Sequence, residues 1–342
     1  MLTYSRIDVA THENVVRVED LETGLDAIIA VHSTRRGPAL GGTRFWSYTT
    51  SDHALADALA LSEAMTYKNA AAELPYGGGK AVVNLNKAEK TPELLRAYGM
   101  AVESLKGTYI TAEDVGCVPG DMETVSEMTK HCADKANPSS PATALGVMSA
   151  LEAAIEVNYP RFDVCDCAVL IQGAGRVGEI LTEMLVAAGA SVWLNDINQE
   201  KVDALVKRFG VKKADDLYLP SDDRESLKPV RVFAPCALGP AVTRDNVNKI
   251  CGMYKVICGA ANNAVEKGIE DLIAAQGTTY CPDFVANAGG VISVHHDLIG
   301  TTSQMVVASD VVRIHSRIRQ ILASNIINKM EVALDFAKER LQ

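Results

Sequence analysis

Apolar positions along the chain change period several times, and each change marks an element. Short apolar runs at 15–18 and 25–32 predict strands. From residue 51, Leu55, Leu59, Ala60, Ala64 and Met65 recur at helical spacing, predicting a helix to about residue 71 capped by Ser51 or Asp52. Gly77-Gly78-Gly79 reads as a loop, followed by a strand over 81–85. Pro92 sits in the first turn of a helix running to about 105, 109–112 reads as a strand, and 121–132 as a helix. Residues 135–140 lack periodicity and mark a domain boundary. Thr143 reads as the cap of a helix over 144–157. Next come a strand at 168–171, a glycine loop at 173–178, a helix at 177–188 and a strand at 192–195. Strand–helix alternation to about 294 predicts a parallel sheet with helices on both faces, an α/β architecture. The tail from 309 to 341 reads as helical and amphipathic.

The glycine loop carries chemistry. Gly173-Ala-Gly175-Arg-Val-Gly178 follows an apolar strand and opens a helix, and Asp196 lies 18 residues beyond Gly178 at the end of the second strand. Gly173 suits the tight turn, Gly175 lets backbone N–H groups approach a pyrophosphate, and Gly178 lets the helix pack close to the strand. The helix start at Arg176 and Val177 offers the positive end of a dipole. Asp196, followed by Ile197, can accept the hydroxyls of an adenosine ribose and repels a ribose phosphate, so NAD is expected over NADP. The nearest downstream cation is Lys201. A glycine-rich turn without a ligand is the competing reading, and the strand–helix context argues against it.

Composition narrows the classes. At 342 residues the chain is long enough for about two domains. Hydrophobic residues are 48% and charged residues 22%, which excludes a disordered or collagen-like chain. The net charge of −10 argues against nucleic acid as a partner. No apolar stretch spans a bilayer, so no membrane partner is expected. Residues 1–8 lack the pattern of a signal peptide, so a cytoplasmic location is expected. The eight cysteines are scattered without a C-x-x-C pair and read as reduced thiols. Cys165 and Cys167 flank Asp166, but nothing completes a zinc site, and no metal is expected.

Lys68 ends the first long helix and Lys80 follows the glycine run into a strand. Two ammonium groups facing one pocket repel, so one can lose its proton and act as a base while the other holds a carboxylate. Taken alone, two solvated surface lysines are the competing reading.

The stretch Met65-Thr-Tyr-Lys-Asn-Ala-Ala-Ala-Glu-Leu-Pro-Tyr-Gly-Gly-Gly-Lys80 resembles the glycine-rich catalytic segment of the amino-acid dehydrogenases, the family of the glutamate, leucine, valine, phenylalanine and tryptophan enzymes. Further segments agree in the family's order: Gly37-Pro-Ala-Leu-Gly-Gly-Thr-Arg44, Thr111-Ala-Glu-Asp-Val115, Phe233-Ala-Pro-Cys-Ala-Leu-Gly239, Gly259-Ala-Ala-Asn-Asn263 and Pro282-Asp-Phe-Val-Ala-Asn-Ala-Gly-Gly290. The resemblance runs from about 12 to about 300 and is closest to the leucine and valine dehydrogenases. It implies two domains with an active-site cleft between them. An N-terminal α/β catalytic domain would take 1–136, and a Rossmann-type doubly wound NAD-binding domain 137–309. A C-terminal helix over about 310–342 would pack back on the first. It implies that Lys68 binds the substrate carboxylate, that Lys80 is the general base activating water, and that Asp114 exchanges a proton with the substrate amino group. Asn262 would touch substrate and cofactor, with Thr143 and Asn287 beside it. The backbone at Gly41 and Gly77 would line the site, and Cys236, Ala237 and Ala260 would adjoin the cofactor.

By the same resemblance Leu40, Ala112, Val291 and Val294 form the side-chain pocket. All are apolar, and none offers a cation for a second carboxylate, which argues against glutamate. The implied reaction is NAD-dependent, reversible oxidative deamination of an L-amino acid to a 2-oxo acid and ammonia. Leucine, valine or isoleucine is expected; an aromatic or a dedicated biosynthetic substrate is the alternative. A non-catalytic NAD-binding protein is a third reading, and the presence of Lys68, Lys80 and Asp114 together speaks against it. Cys117 departs from the family pattern and reads as a packed thiol. His295-His296 also departs; read on a strand, the two point to opposite faces and share no metal. The stretch 300–319 departs most, and the chain ends earlier than most relatives, so a homodimer is expected.

Overall fold

The computed structural model describes residues 1–86, 88–133, 139–220 and 223–341. The chain divides into two compact units: Met1–Ala136 with Val294–Thr302 and Ala337–Gln342, and Asn137–Ser293 with Ser303–Phe336. The stretch read as the boundary falls mostly outside the described residues, and its end, Ser139 and Ser140, already belongs to a helix.

The first unit comprises β1 (Thr3–Arg6), β2 (Asn14–Asp20), β3 (Leu25–Ser33), β4 (Ala39–Trp46), α1 (Ser51–Ala71), β5 (Gly77–Asn84), α2 (Pro92–Ser104), β6 (Tyr109–Glu113) and α3 (Asp121–Ser126). Its six-stranded sheet has the order β1-β2-β3-β5-β4-β6. β1 to β5 pair antiparallel along that order, while β5, β4 and β6 run parallel. Strand alternation splits the side chains between two faces. Val15, Ile28, Ala30 and Val82 meet Ala54 and Ala58 of α1; Val18, Ile29, Ala81 and Val83 meet Leu94, Tyr98 and Val102 of α2. Each large apolar side chain buried there contributes about 1.5–3 kcal/mol, an upper bound set against an extended unfolded chain. Tyr98, Thr43 and Thr111 join hydroxyls within the second layer, so the polar atoms there are partnered.

Several expectations shift. The cap of α1 is Thr50, whose Oγ1 accepts from His53 N at 3.2 Å, just ahead of the expected Ser51 or Asp52. The glycine run is strand, not loop: a Cβ on Gly78 would stand 2.1 Å from the Thr66 backbone N, so α1 lies too close to β5 for any side chain there. β1 and β4 were not expected as strands; Gly41 and Gly42 hide the alternation of β4. The helix expected over 121–132 stops at Ser126, because Thr111 N donates to His131 O at 3.0 Å and Ala133 N to Thr111 O at 2.8 Å, drawing the chain alongside β6.

The second unit comprises α4 (Ser139–Asn158), β7 (Cys167–Gln172), α5 (Arg176–Ala187), β8 (Ser191–Asn195), α6 (Gln199–Phe209), β9 (Lys212–Lys213), β10 (Val230–Pro235), α7 (Val247–Met253), β11 (Val256–Ile257), α8 (Glu270–Ala275), β12 (Thr279–Tyr280), α9 (Asp283–Ala286), α10 (Gly289–Leu298), α11 (Gln304–Val311), α12 (Ile314–Leu322) and α13 (Lys329–Glu339). α10 and α13 each run from this unit into residues grouped with the first. The sheet is parallel throughout, in the order β12-β11-β10-β7-β8-β9. Counted from β7, that is the 3-2-1-4-5-6 order of the doubly wound Rossmann fold, with the chain reversing direction across the sheet beside β7. The helix expected from Thr143 starts earlier, at Ser139; Thr143 lies inside it and donates to Ser139 O at 2.8 Å. The tail is three helices, α11, α12 and α13, instead of one. His295 and His296 lie on helix α10, not on a strand, so they point about 100° apart instead of to opposite faces. No helix among the described residues is long and apolar enough to cross a membrane.

Candidate active site

Even-numbered positions of β4 and β5 face α1, which places Leu40, Arg44 and Lys80 on one side of the first sheet. β6 follows the same alternation, bringing Ala112 and then Asp114 to that side. Leu40 is 1% and Ala112 5% exposed. The Lys80 ammonium donates to Asp114 Oδ2 at 2.6 Å; the lysine side chain is 6% exposed and the aspartate 22%. Burial pushes the Asp114 carboxyl up, but Lys80, and then Arg44, outweigh it and hold the group below its usual range. Asp114 therefore stands ionised at neutral pH.

Lys68 is half-buried in the last turn of α1. The carbonyls of Gly41 and Gly77 are engaged: Gly41 O accepts from the Tyr109 hydroxyl at 2.6 Å, and Gly77 O from Asn69 Nδ2 at 2.6 Å. Asn69 also donates to Leu40 O at 3.2 Å, so one buried amide ties β4 to β5 beside the site. Val291 is buried and Val294 half-buried, one turn apart on α10. Near Val294, His295 Nδ1 meets the Tyr76 hydroxyl at 3.0 Å. Cys117 accepts from Asp114 N at 3.4 Å, and burial pushes its thiol up to about 11, which keeps it protonated. The sequence reading missed Arg44, Asn69, Tyr76 and Tyr109; Asn69 and Tyr76 lie inside the Met65–Lys80 motif, Arg44 ends another, and Tyr109 lies just ahead of a third.

In the second unit the glycine loop sits where β7 ends. A Cβ on Gly178 would stand 1.9 Å from Gly173 O, whereas one on Gly175 would meet nothing within 4 Å. The first glycine serves packing of helix on strand, and the second leaves open space before the N-terminus of α5, as an approaching pyrophosphate requires. Arg176 is exposed and pairs with Glu179 at 3.5 Å; Val177 is half-buried. Gly173 abuts Cys236 and Ala237 at the end of β10. Asp196 accepts from Ala174 N at 2.6 Å and Asn198 N at 2.7 Å, which fixes its carboxylate against the loop. Next to it opens a cavity of about 370 Å³ lined by Asp196, Asp215, Asp216, fully exposed Ile197, Leu217 and Tyr218.

Past β11, Asn287 Nδ2 donates to Ala260 O at 3.1 Å and Asn262 Oδ1 at 3.0 Å, bringing three expected residues together. Asn287 Oδ1 is buried and takes no hydrogen bond among the described residues, an acceptor fitted to an amide donor such as a carboxamide. Thr143 lies against Gly290, 2.7 Å from where a Cβ would stand. These groups, at the carboxyl ends of parallel strands beside the switch point, fit a dinucleotide.

A Rossmann-type unit with such a seat, in one chain with an α/β unit holding a half-buried ammonium–carboxylate pair, defines a nicotinamide-dependent dehydrogenase. Residues 12–131 match the family model described as Glu/Leu/Phe/Val dehydrogenase, dimerisation domain, and residues 193–340 match Glutamate/Leucine/Phenylalanine/Valine dehydrogenase. Leucine dehydrogenase of Bacillus subtilis is 39% identical over 302 residues, 86% of this chain and 80% of that protein. Valine dehydrogenase of Streptomyces coelicolor is 42% identical over 301 residues, 86% of this chain and 81% of that protein. The crystal structure of L-tryptophan dehydrogenase from Nostoc punctiforme superposes with a TM-score of 0.79 at 34% identity, covering 97% of this chain and 96% of that one. The chain belongs to the glutamate/leucine/phenylalanine/valine dehydrogenase family of amino-acid oxidoreductases.

Proposed function

We propose that the protein catalyses the reversible, NAD-dependent oxidative deamination of a branched-chain L-amino acid to its 2-oxo acid and ammonia. The observation that carries this reading is the Lys80–Asp114 pair at 2.6 Å, a buried lysine and a half-buried, ionised aspartate on a single sheet face. Leu40 and Ala112 on that face are apolar and buried, which suits an aliphatic substrate side chain better than a charged one. Among the described residues, three carboxylates and no lysine or arginine line the cavity beside the glycine loop, which favours NAD over a 2′-phosphorylated dinucleotide. Gly173, Gly175, Arg176, Val177, Gly178, Asp196 and Ile197 would hold its adenosine and pyrophosphate. Thr143, Cys236, Ala237, Ala260, Asn262 and Asn287 would adjoin its other half.

The chemistry the bound nicotinamide supplies is acceptance of the substrate's α-hydride, which leaves the substrate as an iminium. Lys68 holds the substrate carboxylate by charge. Asp114, ionised, takes a proton from the substrate ammonium and so frees the nitrogen lone pair. Lys80, once its ammonium proton has passed to solvent on substrate binding, takes a proton from the water that adds to the iminium carbon, giving a carbinolamine. Asp114 then returns a proton to nitrogen as ammonia leaves, and the carbinolamine hydroxyl proton passes to solvent as the 2-oxo acid forms. Val291 and Val294 of α10 are proposed as further contacts of the substrate side chain.

The full-length similarity to L-tryptophan dehydrogenase favours a second reading, an aromatic substrate. A panel of L-amino acids at alkaline pH, followed by NADH absorbance, separates the two. Turnover of leucine, valine or isoleucine is expected; turnover of phenylalanine or tryptophan alone moves the enzyme to the aromatic class. The assembly we propose is a homodimer, and sedimentation as an octamer would remove it.

A further inference from the structure

Arg44 stands behind the reacting pair. Its Nε lies 3.5 Å from Asp114 Oδ2, the same oxygen that receives the Lys80 ammonium. That Nε is buried and has no hydrogen-bond partner among the described residues. The far end of the guanidinium is clamped: Nη1 donates to Asp57 at 2.9 and 3.3 Å, and the Tyr48 hydroxyl donates to the same carboxylate. A planar cation gripped on one edge has a fixed direction, and here it is aimed at Asp114. A buried donor left short of a bond is costly unless something uses it. Closing 3.5 Å to ordinary hydrogen-bond length takes a shift of roughly half an ångström.

We propose that Arg44, held by Asp57 and Tyr48, is a positioning residue for this reaction: it keeps the Asp114 carboxylate at the Lys80 ammonium, and its Nε–H receives that carboxylate when Lys80 turns to the reacting water. The inference rests on reading Lys80 and Asp114 as the proton-handling pair. The charged and titratable groups facing Asp114 are Lys80 from β5, Arg44 from β4 and the neutral Cys117 thiol from the loop after β6, with Asp57 behind Arg44. Among these Arg44 is the cation that disfavours proton uptake by the pair. Its loss makes the pair hold its proton more tightly, so the acid limb of the rate profile moves to higher pH.

The experiment is kcat and kcat/KM against pH for the wild type, Arg44→Gln and Arg44→Lys, with the best substrate of the amino-acid panel. Arg44→Gln is expected to move the acid limb up by about one unit or more and to lower kcat about tenfold or more, with KM for NAD unchanged. Arg44→Lys restores the charge without the fork; it is expected to return the acid limb to its wild-type place and to recover kcat in part. An unmoved acid limb in Arg44→Gln, with losses only in yield or thermal stability, overturns the proposal. If Arg44→Gln does not fold, Arg44→Lys decides: lowered kcat with the acid limb in place supports it, and wild-type kcat overturns it. A wild-type enzyme inactive on every amino acid removes the underlying reading of Lys80 and Asp114 instead.

Discussion

Two glycines in one loop are expected to fail differently when changed to alanine. At Gly178 the new Cβ would stand 1.9 Å from Gly173 O, about 1.1 Å inside the 3.0 Å that real Cβ atoms respect, and the atom it meets is backbone. Either α5 lifts from β7 or the turn at Gly173 opens. Overpacking of this kind costs about 1–3 kcal/mol. At about 2–4 °C per kcal/mol, Tm falls by about 2–12 °C. Gly175, with φ of −73°, has nothing within 4 Å of an added Cβ, so Gly175→Ala leaves Tm within about 2 °C of the wild type. The methyl group would nonetheless occupy the space through which a pyrophosphate reaches the N-terminus of α5. NAD affinity is therefore expected to fall about tenfold or more, and in Gly178→Ala to fall together with Tm. Differential scanning calorimetry and titration calorimetry with NAD read the two effects separately. Wild-type NAD affinity in Gly175→Ala would refute the placing of the dinucleotide, and an unchanged Tm in Gly178→Ala would refute the packing argument.

Other perturbations probe the first unit. His12 and His32 stack edge to face at 4.9 Å, and burial pushes both rings below 6.5. Neutral in the fold, they contribute stability above pH 6.5 that is lost as pH falls below it, so His32→Asn is expected to flatten the decline of Tm between about pH 7.5 and about pH 5. A decline as steep as the wild type's would sink that account. With its thiol at about 11, Cys117 is expected to resist iodoacetamide near neutral pH while exposed Cys165 reacts; peptide mass spectrometry finding Cys117 labelled first would contradict it. Ala112→Gly should widen the pocket and raise the kcat/KM ratio of phenylalanine to leucine about tenfold, and an unaltered ratio would place the side-chain pocket elsewhere.

The parts that could be read along the chain are those whose physics is local. Helical spacing from Leu55 to Met65 marked α1, and Pro92 marked the start of α2. The glycine loop and Asp196 marked the β7–α5–β8 unit because strand, turn and helix follow one another directly. The missed parts depend on neighbours distant in sequence. The glycine run at 77–79 is strand because it pairs with β3 and β4, with Thr66 leaving no room for a side chain at Gly78, and the helix after Asp121 is cut short by Thr111. Arg44 reaches Asp114 only in the parallel register that places Thr43 beside Glu113, and no periodicity within β4 reveals that register. His295 and His296 were read on the wrong period: a short apolar run before them suits helix or strand equally well.

The most direct test of the account is Lys80→Ala, measured for turnover and for NAD binding on the same preparation. Loss of the base is expected to lower kcat by at least about a hundredfold while the dissociation constant for NAD stays within about twofold of the wild type. Deamination continuing at a wild-type rate in that variant would contradict the assignment of Lys80, and with it the chemistry built on its pairing with Asp114.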